Sequence, residues 1–315
     1  MRSERLFRRQ IRKFAKLKLK ERRRALLWKT KISASVAAGF ETNPLNDALE
    51  KGDYFNEESF SINWVPTFSE QWGADIGYRV THQNYFEQTD LSTLDQALTG
   101  SLKYYPWEDG KLLLQPGAEF EWLYYPKDDL STYEDTKAFL KFKHYAGEKW
   151  NWGGKYEYSY KIYEAKRTRD EAKNTLQPAR ADYRNTAELY ITRYIDKYSV
   201  KLRGKAYRNN SNDAYQKFYD YDAYRGYVTL SRSFLEEDKL YLSFTPNYER
   251  KNYHRRDAEG TARHDDIVEY KLDLYYTLKK YWTLTYNYAH KASNSNAAGG
   301  EYTNITNKVG LMVDF

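Results

Sequence analysis

The sequence predicts an all-β protein, a 14-stranded antiparallel transmembrane β-barrel with a short N-terminal amphipathic helix. Three observations carry that expectation. Apolar residues occupy every second position from about residue 30 to the last residue, the connections alternate short and long, and aromatic residues gather at the strand ends. The composition calls for a folded chain and leaves a barrel open. Thirty per cent of the 315 residues are charged and the mean hydropathy is −0.94, yet 17% are aromatic, with 33 tyrosines and 8 tryptophans. A disordered chain has no use for so many rings. A barrel confines its apolar residues to one face, so low mean hydropathy and a wholly apolar surface coexist. No stretch approaches the 18 uncharged apolar residues of a membrane-spanning helix. The absence of cysteine removes disulfide frameworks, thiol catalysis and Cys-ligated zinc.

Charge divides the chain. Residues 1–31 hold fourteen Lys/Arg against Glu4 and Glu21, a net of +12, which leaves the other 284 residues at −5. The basic character therefore belongs to one segment, and nothing in the body marks a nucleic-acid binder. From Arg5 to Trp28, Leu6, Phe7, Ile11, Phe14, Leu17, Leu26 and Leu27 recur at mostly helical intervals among strong helix formers. This predicts a basic amphipathic helix over 1–29, with a solvated basic arm as the alternative. The segment lacks the continuous apolar core and small-residue cleavage site of a secretory signal.

The period then changes to two. The first run sets Ile32, Ala34, Val36, Ala38 and Phe40 on one face and Lys31, Ser33, Ser35 and Glu41 on the other. The same division recurs in Phe60/Ile62/Trp64, Ile76/Tyr78/Val80, Leu98/Leu102/Tyr104, Leu112/Leu114/Ala118/Phe120/Trp122 and Ala138/Leu140/Phe142. Next come Trp150/Trp152/Tyr156/Tyr158/Ile162, Ala187/Leu189/Ile191/Ile195, Tyr198/Val200/Leu202/Ala206 and Tyr224/Val228/Leu230/Phe234. Leu240/Leu242/Phe244/Tyr248, Val268/Tyr270/Leu272/Leu274, Trp282/Leu284/Tyr286/Tyr288 and Ile305/Val309/Leu311/Val313/Phe315 complete fourteen strands over 30–315. Short links at 69–71, 106–110, 146–149, 195–197, 235–239 and 278–281 alternate with long polar ones around 42–58, 84–93, 125–135, 164–182, 209–221, 250–266 and 291–302. A soluble sandwich has no reason to keep that order.

Two aromatic girdles are expected. Trp72, Tyr104, Trp107, Tyr145, Trp150, Tyr194, Tyr198, Tyr281 and Trp282 would form the short-turn girdle. Tyr85, Trp122, Tyr124, Tyr163, Tyr183, Tyr207, Tyr221, Tyr253 and Tyr302 would form the other. Pro66, Pro116 and Pro246 fall within strands, where a missing N–H predicts bulges.

The closing TNKVGLMVDF, an alternating strand ending in Phe315, resembles the C-terminal strand of bacterial outer-membrane β-barrel proteins. The resemblance covers 30–315 as a pattern. It implies a location in the bacterial outer membrane with the signal peptide already removed, contact with outer-membrane lipid, and reading of the last strand by the barrel-assembly machinery. GFETNPLN after the first strand and SNSNAAGGEYTNITN before the last are similar to barrels that follow periplasmic helical domains, such as surface lipoprotein assembly modifiers and exopolysaccharide-export barrels.

With apolar residues facing lipid, the other parity faces the lumen. It carries Arg79, Lys103, Lys137, Lys141, Lys143, Lys155, Lys161, Arg184, Lys201, Arg203, Lys205, Arg225, Lys251, Lys271 and Lys308 against Asp75, Glu119, Glu121, Glu157, Glu188, Glu249, Glu269 and Asp273. So many charges cannot be buried dry, which predicts a water-filled lumen. Glu119 and Glu121 on the fifth strand and Glu269 and Asp273 on the twelfth lie seven strands apart, so the basic positions of strands six to ten are expected between two acidic walls. That arrangement suits passage of polar, anionic solutes. Pairing of these charges across neighbouring strands, which would only stabilise the wall, is the open alternative.

Other function classes are an export or assembly barrel fed by a periplasmic partner docked on the N-terminal helix, and a surface-binding or structural protein acting through its loops. The helix is also a candidate plug reaching Glu119, Glu121, Glu269 and Asp273. No enzyme is expected. HRRD (254–257) and HDD (264–266) offer His/Asp pairs without a nucleophile motif, and His82, His144 and His290 are scattered on the apolar parity. No cofactor loop or metal-spaced cluster is present in the sequence.

Overall fold

A computed structural model describes residues 29–46, 51–107, 109–128, 131–170, 172, 174–214, 219–235, 239–258, 261–297 and 300–315, with backbone alone at 29, 255–258 and 261. The expected helix over 1–29 lies outside the described residues except at Lys29, which opens the first strand.

Fourteen strands follow in order: β1 (Lys29–Glu41), β2 (Asp53–Val65), β3 (Trp72–Tyr85), β4 (Thr93–Tyr104), β5 (Leu112–Tyr124), β6 (Tyr133–Ala146) and β7 (Trp150–Arg169), then β8 (Thr175–Ile195), β9 (Tyr198–Ser211), β10 (Tyr221–Phe234), β11 (Leu240–Ala258), β12 (Thr261–Lys279), β13 (Trp282–Ser295) and β14 (Tyr302–Asp314). Each pairs antiparallel with its chain neighbours, and β1 pairs with β14 from Ser33↔Asp314 to Glu41↔Thr306. Closure leaves no free edge. Phe315 N–H donates to the Ile32 carbonyl at 2.8 Å, so the last residue is tied into the seam.

The expected alternation runs through every strand as far as the register shifts near the ends of β7, β11 and β12. Apolar side chains point outward at even positions in β1–β7 and β9–β13 and at odd positions in β8 and β14. Leu98 is 55%, Leu189 65% and Val309 51% exposed on that face, a reversal of the usual inside–outside order. The neighbouring positions are mostly polar and mostly buried or half-buried; Asp135, Ser159, Asn247, Glu249 and Glu269 are buried there. The polar face is the inner one.

Three expectations require correction. First, Pro116 and Pro246 introduce no bulge. Pro116 pairs with Leu140 and Pro246 with Tyr270 in unbroken register. On the other side the ladder skips two pairs, between Ser101↔Gly117 and Tyr104↔Leu114 and between Tyr227↔Asn247 and Leu230↔Phe244, and then resumes without a shift. A proline lacks only its donor, so it loosens the ladder its N–H would join and leaves the opposite one intact. Pro66 lies just beyond β2, its carbonyl accepting from Ala74 N–H at 2.9 Å. The register shifts that do occur lie between Ile162 and Arg169, Asn252 and Asp257, and Thr277 and Lys279.

Second, the links expected at 164–182 and 250–266 are largely strand. β7 and β8 run 20 and 21 residues and β11 and β12 each run 19, against 14 in β3, β6, β9, β10 and β13. At about 3.3 Å per residue, these two hairpins extend well past their neighbours on the long-loop side. On the opposite side the turns are tight, and Gly147 takes φ 75° and Asp196 φ 53°. Asp109 in the 105–111 turn accepts from Lys111 N–H at 3.0 Å and pairs with its Nζ at 2.6 Å, which holds its carboxyl below the usual range.

Third, most of the expected long-loop girdle faces inward. Trp122, Tyr124 and Tyr183 are on outward positions, whereas Tyr85, Tyr163, Tyr207, Tyr221, Tyr253 and Tyr302 share the parity of the inner charges. Tyr145 and Tyr194 are likewise on inner positions at the short-turn end. The remaining short-turn rings behave as expected, with Trp72 stacked on Tyr104 at 4.3 Å and Tyr281 on Phe315 at 5.9 Å.

Candidate functional site

Fourteen strands spaced about 4.8 Å apart and tilted roughly 40° enclose a backbone cylinder roughly 25–30 Å across, wider than inward side chains alone can fill. Arg79 and Lys271 are inward residues near mid-height, yet their side chains remain 51% and 47% accessible. The inner face is therefore a lined wall, unlike a packed core.

The acids expected to stand as bare walls are clasped by bases. Lys137 Nζ lies 2.7 Å from Glu119, 2.5 Å from Glu121 and 3.8 Å from Asp135. Tyr133 also donates to Glu121 at 3.0 Å. Seven strands away, Glu269 is held by Arg225 at 2.5 Å and Lys271 at 3.1 Å, and Arg225 also reaches Glu249 at 3.4 Å. Asp273 accepts from the Asn287 amide at 2.7 Å. Arg79 pairs with Asp95 at 2.9 Å, Lys103 with Asp75 at 2.8 Å, Lys308 with Glu57 at 3.0 Å and Lys251 with Glu249 at 3.4 Å. Lys155 pairs closely with Glu157. For these groups the pairing alternative describes the structure.

The arc from β6 to β10 is different. One row of register partners reads Lys141, Lys155, Glu188, Lys205, Arg225, Glu249 across six adjoining strands. Like charges stand directly opposite at Lys141↔Lys155 and at Lys205↔Arg225. Such pairs are destabilising by about 0.2–1 kcal/mol, whereas a row built for stability would alternate sign. Among the described residues, Lys141, Lys143, Lys161, Arg184, Lys201 and Lys205 have no carboxylate within 4.0 Å.

Aromatic rings take the place of carboxylates along this arc. Lys161 Nζ sits 3.6 Å above the Tyr133 ring, Lys201 4.4 Å from Tyr190, and Lys205 and Arg184 5.0 and 5.3 Å from Tyr207. Arg203 lies 3.8 Å from Tyr227, with Glu188 at the same distance from its guanidinium. Lys141 rests on Phe139 at 4.3 Å and Lys143 on Tyr145 at 4.5 Å. A ring quadrupole attracts a cation without neutralising it, so the arc keeps a net positive field. Phe139 is buried in the niche left by Gly117, where a Cβ would lie 2.5 Å from its ring.

The inward tyrosines are the feature that sequence reasoning placed on the wrong face. The signal was available, because Tyr163 and Tyr207 fall on the parity of Lys161 and Lys205 in their own strands. The histidines remain on the outer face. His254 Nε2 lies 2.9 Å from Asp222, which Arg208 also contacts at 2.7 Å, and His264 lies 4.0 Å from Asp266. His144 packs edge-on to Trp107 at 5.3 Å. Among the described residues, no group of acids and histidines is placed to hold a metal. A concavity of about 870 Å³, lined mostly by outward residues, lies where Gly204 and Gly226 leave a gap between Leu189 and Tyr248.

No protein-family model and no curated relative matches the sequence. Among solved structures, the chain is similar to OmpT, an outer membrane protein of Vibrio cholerae, at 8% identity and a TM-score of 0.50, covering 91% of this chain and 99% of that one. An anion-selective porin from Comamonas acidovorans matches at 9% identity and a TM-score of 0.48, covering 92% and 99%. An outer membrane channel from Pseudomonas putida matches at 11% and 0.46, covering 91% and 95%. The shared feature is the fold, that of the outer-membrane β-barrels.

Proposed function

We propose that this protein is an outer-membrane channel that passes polar, preferentially anionic, solutes through a water-filled lumen. An outer face covered with exposed Leu, Val, Tyr and Phe side chains suits hydrocarbon and would aggregate in water. The observation that carries the anionic preference is the arc in which Lys141 opposes Lys155 and Lys205 opposes Arg225, while Lys141, Lys161, Arg184, Lys201 and Lys205 rest on rings with no carboxylate within 4.0 Å among the described residues. A cluster of uncompensated charge on a low-dielectric wall raises the local concentration of the opposite ion and sets selectivity. Glu119, Glu121, Glu269 and Asp273 act within this reading as anchors for Lys137, Arg225, Lys271 and Asn287. The C-terminal strand, closed against β1, is the segment offered to the assembly machinery. No catalytic step is assigned to the chain.

The test is the reversal potential of purified protein in a planar bilayer under a KCl gradient. Anion selectivity is the expected result; cation selectivity, or no channels at all, contradicts the proposal.

A further inference from the structure

Resting on the channel reading, the geometry points to a collar for acidic oligosaccharides at the long-loop end of the lumen, formed by inward tyrosines and two uncompensated bases. Tyr133 and Tyr163 meet edge to face at 5.9 Å, Tyr207 and Tyr221 do so at 6.0 Å, and Tyr221 and Tyr253 approach at 5.3 Å. Between these groups stands β8. Its Arg180 guanidinium lies 4.4 Å from the Tyr163 ring, and Arg184 lies 5.3 Å from Tyr207 while donating to the Tyr221 hydroxyl at 3.0 Å. The result is one stripe running from β6 to β11. All five rings are half-buried, so each keeps part of its surface toward the lumen.

The stripe offers contacts at strand spacing, about 4.8 Å, close to the length of one hexose, with Lys161 and Arg184 on neighbouring strands and rings on either side. The rings suit the C–H faces of a sugar, and the phenol oxygens of Tyr133, Tyr163 and Tyr253, whose own protons go to Glu121, Asp182 and Asp265, remain acceptors for its hydroxyls. Lys161 and Arg184, on adjoining strands, have no carboxylate within 4.0 Å among the described residues and suit carboxylates on neighbouring units. Arg180 is not available in the same way, because Asp182 holds it at 2.6 Å. A small inorganic anion would use only the two bases and a neutral sugar only the rings. An acidic oligosaccharide uses both, which selects it as the ligand class.

The experiment measures block of KCl current through the full-length protein by three probes added on the long-loop side: trigalacturonate, citrate and maltotriose. Half-block by trigalacturonate is expected at a concentration at least tenfold below that of either other probe. Arg184→Gln and Tyr221→Leu should each raise it about tenfold, with the unheated electrophoretic mobility of the folded barrel unchanged. Equal block by citrate and trigalacturonate would overturn the inference, as would an unaltered block in folded Tyr221→Leu. If the bilayer stays silent, the channel reading fails independently, and calorimetric titration of the detergent-solubilised protein with trigalacturonate then decides the collar by itself, binding supporting it and no heat overturning it.

Discussion

Two arcs of the barrel differ in what fills their inner face. From β6 to β11 that face carries long bases and tyrosines, with like charges opposed at Lys141↔Lys155 and Lys205↔Arg225. Across the closing seam, β14, β1 and β2 present Gly310, Ser33, Ser35, Ala37, Gly39, Ser59 and Ser61, with Ser35 and Ser59 hydroxyls 3.2 Å apart and one ion pair, Lys308–Glu57, reaching over β1. The seam is fitted: a Cβ on Gly39 would lie 2.5 Å from Phe55 and 2.6 Å from the Asn307 carbonyl, and one on Gly310 2.8 Å from the Val36 carbonyl. One arc is arranged for closure, and the other tolerates electrostatic strain that closure does not require. That contrast separates structure from function without appeal to any relative.

Substitutions should respect it. The largest effect is expected at the seam, where Gly39→Val forces a side chain into backbone and into the Phe55 ring. We predict a loss of about 3 kcal/mol or more, read as failure to recover the heat-modifiable folded band after refolding. Next is Lys137→Gln, which strips the cation from Glu119 and Glu121 while these are only 28% and 16% accessible. A loss of about 2 kcal/mol in urea unfolding from vesicles is expected. Neutralising Lys141 and Lys205 together to Gln, each opposite another base and without a carboxylate within 4.0 Å, should instead leave stability unchanged or raise it by about 0.5 kcal/mol. The smallest effect is at the 105–111 turn. The Asp109 carboxyl is held below its usual range by Lys111, so its contribution is present above the unfolded value and lost as pH falls through the lower folded one. Asp109→Asn should therefore shift the melting temperature slightly at pH 7 and not at pH 2.

Most of the barrel was legible because a half-buried strand must alternate, and Ile32 to Phe40 or Ile305 to Phe315 can alternate only one way. Where both faces are wet the alternation vanishes, which is why the outer reaches of β7, β8, β11 and β12, such as YEAKRTRD, passed for loops. Tyrosine belongs equally to an interface and to a polar lumen, so residue type alone misplaced Tyr163, Tyr207, Tyr221 and Tyr253; the parity of adjacent lysines placed them. Pairing partners depend on register, and no single strand carries that. Lys137 between Glu119 and Glu121 emerges only once β5 and β6 are aligned at Glu119↔Lys137.

The central claim is that selectivity resides in the arc where like charges oppose. The most direct measurement is the reversal potential, under one KCl gradient, of the wild-type protein, the Lys141→Gln/Lys155→Gln/Lys205→Gln variant and the seam variant Lys308→Gln/Glu57→Gln. The account predicts an anion-selective wild type, a variant arc shifted toward zero or to cation preference, and a seam variant close to wild type. Equal potentials for the wild type and the arc variant, or a larger shift from the seam, would contradict it.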